Sequence, residues 1–377
     1  MVSMNELKQD MITGMGYIGL DSGRLYRMRR GPKLIEAVAS GTTIIINDAT
    51  EGRPFRGLRV FGKSTQDGTP SVENPVPIVN AGEGGSITVE VTGRNLLKPN
   101  SHNTYYEFPL KANTVMTLMT NGKPSQGGNI KFSATDGSNV WFSIDAGQTR
   151  VCRSIRNKDV KGFYDQLNVG DGLEYMFAVG DIKTYTPYVE PQSLTLATPN
   201  GLPGVPVSKD GNYTDADGQQ WVCDEIDLER GKYVQRVAKM HPRIPIVFNT
   251  REENGRCRVF DTKIWGVKWA DAKITALSTI AKWSSWGSGE DGTFALNSDG
   301  IYYKDSAKTL EEVNAMFAKL GTDFEVCGAL AAPIESDLTP EEIAAYKALR
   351  TYGPTTVVSN DAGAEMEVTY VADRKEN

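Results

Sequence analysis

The stretch S-I-T-V-E-V-T-G, residues 86–93, alternates polar and apolar side chains. Ile87, Val89 and Val91 fall on one side, and polar residues separate them. Because successive side chains of a strand point to opposite faces, this period of two predicts a strand with one buried face. A similar stretch, S-L-T-L-A-T, begins at Ser193. We expect the two stretches to pair as a stem from which the residues between them project.

The residues between these two stretches form short apolar runs, each closed by a turn sequence. The runs read T-V-M-T-L-M-T-N-G-K (114–123), N-I-K-F-S-A-T-D-G-S (129–138), N-V-W-F-S-I-D-A-G (139–147) and L-E-Y-M-F-A-V-G-D (173–181). Their N-G, D-G, A-G and G-D pairs are typical of antiparallel hairpins. Strands at this spacing, with no helical pattern between them, predict a β-sandwich or jelly roll over residues 96–190.

A second segment, residues 244–335, repeats this pattern of short strands and turns. It also contains a helix signal, because Thr309 and Glu312 form a capping box before an apolar stripe at helical spacing. We therefore predict a second β-sandwich with one covering helix. Another helix is expected near the C-terminus, where Thr339 supplies the cap and Pro340 the first helical residue.

The predicted fold class is mainly β. At 377 residues the chain has room for two or three domains. We predict two jelly-roll-like β-sandwich domains joined by a scaffold of β-hairpins and a meander, with one or two short helices near the C-terminus. The predicted segments are an N-terminal leader or attachment segment (1–50), a β scaffold (51–95), the first sandwich (96–190), a meander (191–243), the second sandwich (244–335), and a helix with a β-hairpin (336–377).

Two details of this outline depend on local composition. In the leader, K-L-I-E-A-V-A-S-G (33–41) has the composition of a short helix, and T-T-I-I-I-N (42–47) that of a buried strand. Near the C-terminus, the apolar runs T-T-V-V-S and A-E-M-E-V-T-Y-V flank a turn sequence at residues 360–363. This arrangement predicts a hairpin.

Two motif matches resemble ligand sites, but the surrounding sequence does not support them. G-L-R-V-F-G-K-S (57–64) fits the phosphate-binding pattern, yet its interior alternates like a strand and the prolines after it prevent a helix. Asp215, Asp217 and Asp224 resemble a calcium loop whose first ligand position falls on Tyr213, so a plain hairpin turn is expected. We expect no nucleotide, no metal and no other cofactor.

Composition narrows the classes of function further. A net charge of −6 argues against nucleic acid as the main partner. The N-terminus lacks an apolar signal core and no run is long enough for a membrane span, so we expect synthesis in a cytoplasm and no membrane insertion. The four cysteines lie far apart, which favours free thiols and leaves one or two disulfides open.

Three blocks of the sequence resemble a known family. They are residues 55–79, beginning F-R-G-L-R-V-F-G-K-S, residues 187–237, containing G-L-P-G-V-P-V-S-K-D-G-N-Y-T-D-A-D-G, and residues 338–373, beginning L-T-P-E-E-I-A-A-Y-K. In order and spacing they resemble tail, baseplate or fibre-type minor structural proteins of tailed phages and prophages of gut Firmicutes. The resemblance implies a virion component whose jelly rolls are similar to carbohydrate-binding modules, carried on a scaffold built from the shared blocks.

The resemblance also implies partners. These are other virion structural proteins and a host-surface glycan, with the chain as a homo-oligomer, a trimer, because tail fibres share a threefold axis. Two alternatives stay open: a non-binding virion subunit such as a head fibre, decoration or adaptor protein, and a glycan-cleaving spike. We expect no enzyme, because the chain has two histidines and no G-x-S-x-G, although its 47 acidic residues offer carboxylate pairs for glycoside cleavage.

Exposed tryptophans are the candidate glycan-binding residues, since a sugar ring stacks its apolar face on an aromatic ring. Trp283 and Trp286 flank two serines in a glycine-rich turn and are the first candidates. Trp265 and Trp269 come next. The two remaining tryptophans, Trp141 and Trp221, are expected in the core.

Overall fold

The computed structural model describes the residues in the ranges 16–19, 25–28, 35–155, 157–168, 170–241, 256–261, 276–284, 289–297 and 300–373. Within these ranges the chain is mainly β, as predicted, and its strand pairs are antiparallel with one short exception. The short helices expected near the C-terminus are also present. Within the described ranges, no helix is long and apolar enough to span a membrane.

Five successive regions of the chain supply the strands and helices. The N-terminal region forms β1 (Gly16–Gly19), β2 (Leu25–Met28), β3 (Ile35–Gly41), β4 (Thr43–Ile46), β5 (Gly57–Phe61), β6 (Ser64–Thr65), β7 (Val79–Asn80) and β8 (Gly85–Thr92). The next region forms β9 (Tyr105–Leu110), β10 (Val115–Thr120), β11 (Gly128–Ala134), β12 (Asn139–Ile144), β13 (Arg150–Ser154), β14 (Val160–Gln166) and β15 (Tyr175–Val179).

The middle region forms β16 (Gln192–Thr198), β17 (Gly204–Val207), β18 (Tyr213–Thr214), β19 (Gln220–Cys223), β20 (Glu225–Asp227) and β21 (Lys232–Met240). The fourth forms β22 (Arg256–Asp261), β23 (Leu277–Ser278), β24 (Lys282–Trp283), β25 (Thr293–Asn297) and β26 (Gly300–Lys304). The last forms α1 (Leu310–Leu320), a 3₁₀ turn (Gly321–Asp323), β27 (Val326–Asp337), α2 (Pro340–Ala348), β28 (Thr355–Ser359) and β29 (Glu365–Ala372).

Two of the sheets form a scaffold that encloses one core. Their spatial orders are β16-β8-β28-β4 and β23-β27-β21-β20-β5-β29-β3. The stem predicted from the alternating stretches is confirmed, because Leu194 pairs with Val89 and Leu196 with Ile87. These four side chains are fully buried and share a core with residues of the second sheet, such as Val60. The scaffold therefore joins segments that are far apart in the sequence.

Two long insertions leave this scaffold, each between paired antiparallel strands. The first insertion (residues 93–191) connects β8 to β16, and the last pair of its stem is Val91 with Gln192. The second insertion (residues 241–325) connects β21 to β27, and its stem ends at Met240, which pairs with the first residue of β27. Each insertion starts and ends at paired residues of two adjacent strands. The scaffold sheets are therefore not interrupted by it.

The first insertion consists of two sheets around a core of its own. Their orders are β12-β11-β14-β9 and β13-β10-β15. Phe163 and Phe132 of the four-stranded sheet contact Phe177 of the three-stranded sheet, with ring centroids 5.1 and 5.8 Å apart. Among the described residues, the scaffold contributes one side chain to this core, that of Val358. The opposite face of each sheet points away from this core.

The second insertion shares its core with the scaffold. It contains the sheet β22-β26-β25-β24, helix α1, and β23, which extends the seven-stranded scaffold sheet. Phe317 of α1 packs between Tyr303 and Phe324, at ring-centroid distances of 5.4 and 5.1 Å. The same core includes Ala238 and Val326, which belong to the stem strands. This insertion and the scaffold therefore bury one another.

Both helices begin as predicted, with capping boxes. Thr309 accepts a hydrogen bond from the Glu312 N–H, and the Glu312 carboxylate accepts one from the Thr309 N–H. Thr339 and Glu342 repeat the arrangement at α2. Glu342 also accepts a hydrogen bond from the Ala197 N–H of β16 at 2.8 Å, which attaches α2 to the scaffold.

The helix predicted over residues 33–41 is wrong, because residues 35–41 form β3 and pair with β29. Its burial has a period of two: Ala37 and Ala39 pack on the core, while Val38 is 60% exposed. Pairing with a long neighbouring strand outweighs the weak helix propensity of these residues. The strand predicted next to it is confirmed as β4. The scaffold sheets thus include β3 and β4, which lie inside the predicted N-terminal leader.

The hairpin predicted over residues 355–371 is also wrong. β28 lies in the four-stranded scaffold sheet and β29 in the seven-stranded one, so the turn between them carries the chain from one sheet to the other. Asp361 holds this turn, because its carboxylate accepts hydrogen bonds from the N–H groups of Gly82 and Gly363 at 2.6 and 2.8 Å.

Three smaller predictions are confirmed. The strand predicted inside residues 57–64 is β5, which lies between β20 and β29. The hairpin turn predicted at Asp217 connects β18 to β19, and the Asp215 carboxylate accepts the N–H groups of Asp217 and Gln219 there. All four cysteines are free thiols.

Candidate functional site

The outer face of the four-stranded sheet of the first insertion carries a row of large side chains. Burial along β11 and β12 alternates strictly, so every second residue faces away from the core. Four such residues stand side by side across the sheet: Lys131 pairs with Trp141 on one side and Tyr164 on the other, and Tyr164 pairs with Tyr105. We call Trp141, Lys131, Tyr164 and Tyr105 the aromatic row.

Trp141 is 50% exposed and Tyr105 is 42% exposed, so the two ends of the aromatic row are open to solvent. The core position expected for Trp141 is therefore wrong. The alternation in N-V-W-F-S-I contains the signal, since Val140, Phe142 and the isoleucine share one phase while the tryptophan is in phase with Asn139. The size of the indole suggested a core position, whereas the place of Trp141 in the alternation correctly indicates the outer face.

Contacts within the aromatic row join its members into one surface. The Lys131 ammonium lies 5.9 Å from the ring centroid of Trp141 and 5.5 Å from that of Tyr164. The rings of Tyr105 and Tyr164 are 4.8 Å apart and tilted by 46°. Cation–π and aromatic pairs of this kind are individually weak at an exposed site, but together they restrict the side chains to the sheet surface.

Gly162, next to the row on β14, makes room for Tyr105. A β-carbon at this position would lie 2.3 Å from the Tyr106 carbonyl oxygen and 2.8 Å from the Tyr105 ring carbon that carries the hydroxyl. The Tyr105 ring therefore lies over the bare backbone of the glycine and reaches Tyr164. A side chain at this point would displace either the ring or β9.

Polar uncharged side chains border the aromatic row on both sides. They come from the outward positions that precede and follow the row on the same strands. The bordering residues are Asn129, Ser133, Asn139, Ser143 and Gln166. Amide and hydroxyl groups beside an aromatic surface are the combination that fixes the hydroxyl groups of a stacked sugar.

A cleft of about 380 Å³ opens at the Tyr105 end of the row, between β9 of the first insertion and β8 of the scaffold. Its wall contains the carboxyl groups of Glu90 and Glu107 together with the Tyr106 and Tyr188 rings. Burial raises the pKa of Glu90, and the nearby Glu107 raises it further. The cleft therefore disfavours a second negative charge next to Glu107.

The tryptophans proposed from the sequence lie elsewhere. Trp283 is half-buried against the core of the second insertion, and its indole nitrogen is buried without a hydrogen-bond partner among the described residues. Trp286, Trp265 and Trp269 fall outside the described residues, so their candidacy stays a prediction. Trp221 is half-buried in the scaffold, where its indole N–H donates to the Asp215 carboxylate at 2.8 Å.

The described residues offer little for metal or triad chemistry. Among them, no group of three or more His, Cys, Asp or Glu side chains could hold a metal ion. His102 contacts the Leu167 carbonyl oxygen at 3.0 Å, and His241 lies 3.3 Å from the Glu325 carboxylate.

The sequence analysis placed its candidate glycan-binding residues elsewhere and did not predict the aromatic row. Tyr105, Lys131, Tyr164 and Gly162 were missed because they come together only through strand register, and nothing in the local sequence gives that register. No family model matches the chain, and neither a curated protein nor a solved structure matches it. The geometry of the aromatic row is therefore the main structural basis for assigning a function.

Proposed function

We propose that this protein is a structural component of a phage virion, of the tail, baseplate or fibre type, that displays a glycan-binding module. The aromatic row supports the binding role. Four strands at a spacing of about 4.8 Å give the row a length of about 14 Å, which suits a short oligosaccharide lying flat on the sheet. The polar residues on both sides would hold its hydroxyl groups.

The placement of the resembling blocks supports the virion role. The first block, residues 55–79, contains β5, β6 and the start of β7. The second, residues 187–237, contains β16 to β20 and most of β21, and the third, residues 338–373, contains α2, β28 and β29. All three blocks lie outside the two insertions, except for the first few residues of the second block. A scaffold built from the blocks that resemble virion proteins, with insertions that do not, suits a common carrier for variable display modules. The scaffold would then contact other virion proteins.

The finer features of the fold belong to the same proposal. We take the first insertion as a jelly-roll-like sandwich, similar to carbohydrate-binding modules, and the second as a sandwich with a covering helix. The chain would be made in the host cytoplasm, act in the virion without catalysis or a cofactor, and assemble as a trimer. A molar-mass measurement in solution checks the trimer directly.

A glycan array with two tryptophan variants tests the binding role. Wild-type protein should bind a subset of glycans, and Trp141→Ala should lower the affinity about tenfold or more, because a stacking platform is lost. Stability should change by less than about 1 kcal/mol, since the indole is half-exposed. Trp283→Ala should leave binding unchanged while lowering stability.

The outcomes separate the alternatives. Loss of binding with Trp283→Ala and not with Trp141→Ala would transfer the site to the tryptophan pair proposed from the sequence. No binding by wild-type protein, with virion assembly intact, would favour the non-binding structural subunit. Glycan cleavage has one observation in its favour, the Glu90 and Glu107 pair in the cleft, and release of reducing sugar that stops with Glu90→Gln would establish it.

A further inference from the structure

We propose that the aromatic row selects a glycan that carries negative groups, one of which lies against the Lys131 ammonium. This inference rests on the proposed glycan-binding function and names the class of ligand for the same surface. The negative group is an oxyanion on a sugar, either a carboxylate or a phosphate, since an ammonium acts as a point charge toward both.

Lys131 occupies the centre of the surface on which a sugar would lie. It pairs across the sheet with both Trp141 and Tyr164, so a chain of sugars stacked on these two rings passes directly over it. Its ammonium group is within 6 Å of both ring centroids, at 5.9 and 5.5 Å, and is therefore held near the sheet surface. A ligand cannot use both rings without meeting this charge.

Within the described residues, no neighbouring carboxylate neutralises the charge of Lys131. Lys158 pairs with Asp136 at 2.8 Å and Lys183 with Asp181 at 2.6 Å in the same insertion. Lys131, by contrast, has no carboxylate within ion-pair distance in the described part of the chain. Covering it with a neutral sugar would remove water from an unpaired ammonium, which costs free energy. An oxyanion on the sugar supplies the missing partner.

The rest of the surface fixes where the negative group lies. The residues that border the row are uncharged amides and hydroxyls, so they do not discriminate by charge. Glu107 is the exception, on β9 beside Gly162. Sheet spacing puts it about 12 Å from Lys131, beyond a Debye length at physiological salt. Negative groups are thus favoured from Trp141 to Lys131 and disfavoured at the Tyr105 end.

Immobilised glycans of matched backbone test the inference. The probes are polygalacturonate and its fully methyl-esterified form, which share a backbone and differ in charge, with a phosphomannan and an uncharged mannan as the second pair. An array of uronate-bearing, sialylated, phosphorylated and neutral glycans covers other sugars. The variants are Lys131→Met, Lys131→Arg, and Lys123→Met as the charge-matched control in the exposed turn after β10.

The wild-type protein should bind mainly charged glycans. Lys131→Met should weaken that binding about fivefold or more, as expected for one charge-assisted contact, and should flatten its dependence on salt. Lys131→Arg should restore it, and Lys123→Met should leave it unchanged. Binding to the uronate or to the phosphate series identifies which oxyanion is used.

Four results would overturn the inference. Equal binding of charged and neutral members of both pairs, or a bound set of mainly neutral glycans, would overturn it while leaving the proposed function in place. An equal loss of affinity with Lys131→Met and with Lys123→Met would show that the overall positive charge attracts the glycan, without a specific contact at Lys131. Binding to no glycan at all would overturn both the inference and the proposed function.

Discussion

The first insertion and the second insertion leave the scaffold in the same manner, through paired antiparallel strands, but they are joined to it in different ways. The core of the first is separate from the scaffold core, and Val358 is the scaffold side chain that reaches it among the described residues. The core of the second includes Ala238 and Val326 of its own stem. The second insertion also adds β23 to the scaffold sheet.

This difference separates two kinds of module. A module with its own core can change its outer face without disturbing the carrier, because the two share few buried contacts. The aromatic row is on such a module. A module whose core continues into the carrier is part of the carrier's stability. We therefore expect display on the first insertion and reinforcement of the scaffold by the second.

The largest expected effect comes from deleting a core ring in each insertion. Phe177→Ala and Phe317→Ala should each cost about 3–5 kcal/mol, because both rings are buried and leave a cavity. The locations should differ. In hydrogen exchange, Phe177→Ala should accelerate amides of β9 to β15 alone, whereas Phe317→Ala should also accelerate β21 and β27. Faster exchange throughout the scaffold in Phe177→Ala would contradict an independent first insertion.

The sequence predicted the stem of the first insertion but not that of the second. The alternation around Val89 and Leu194 gives both strands and their buried face, so pairing is the simplest solution. β27 offers no such pattern, because its last seven residues, A-A-P-I-E-S-D, are exposed and contain a proline. Its register with β21 is set by packing on the second insertion, which is information that the local sequence lacks.

The candidate site shows the same limit. The outward phase of Trp141 could be read from its own strand, but its neighbours could not. Tyr105, Lys131 and Tyr164 are separated by long stretches of sequence, and only the order β12-β11-β14-β9 makes them adjacent. The helices were easier, since a capping box is a local interaction between residues three positions apart.

The next effect concerns the stems and depends on pH. The second stem contains a β-bulge near Val237, whereas the first has none. The Asp224 carboxylate accepts the N–H groups of Arg236 and Val237 at 2.7 and 2.8 Å, and the Tyr233 hydroxyl at 2.7 Å. Burial nevertheless raises the pKa of Asp224 to about 6, although these hydrogen bonds oppose the shift.

The sign of the effect follows from this direction. An unfolded Asp has a pKa of about 3.9, so the folded protein binds the proton more tightly between about pH 4 and pH 6. The contribution of Asp224 to stability is full below about pH 4 and is lost as the pH rises through 6, by at most about 3 kcal/mol. Asp224→Asn should remove this dependence.

Denaturant unfolding of wild-type protein and Asp224→Asn from pH 4 to pH 7 measures the difference. Other carboxyl groups titrate in both proteins, so the relevant quantity is the gap between the two curves. The difference in unfolding free energy between the two proteins should change with pH if Asp224 titrates as described. Parallel curves would show that the bulge is held by a carboxylate that stays ionised throughout.

The smallest expected effect is at Gly162, and it tests whether the aromatic row depends on a single close contact. Gly162→Ala should cost about 1–3 kcal/mol, because its β-carbon overlaps the Tyr106 carbonyl oxygen and the Tyr105 ring. Glycan binding should fall as well, since Tyr105 is displaced from Tyr164. Gly84→Ala is the matched control, because a β-carbon added in this scaffold turn would meet no atom within 4 Å apart from its chain neighbours. It should change stability by less than about 0.5 kcal/mol.

Thermal unfolding, hydrogen exchange and glycan binding on these two variants separate the possible causes. If Gly162→Ala loosens β9 and β14 and weakens binding while the scaffold is unchanged, the aromatic row depends on the first insertion alone. Equal effects of the two alanines would mean that the overlap is relieved without moving Tyr105. In that case the ring is placed by its contact with Tyr164, and the aromatic row does not depend on Gly162.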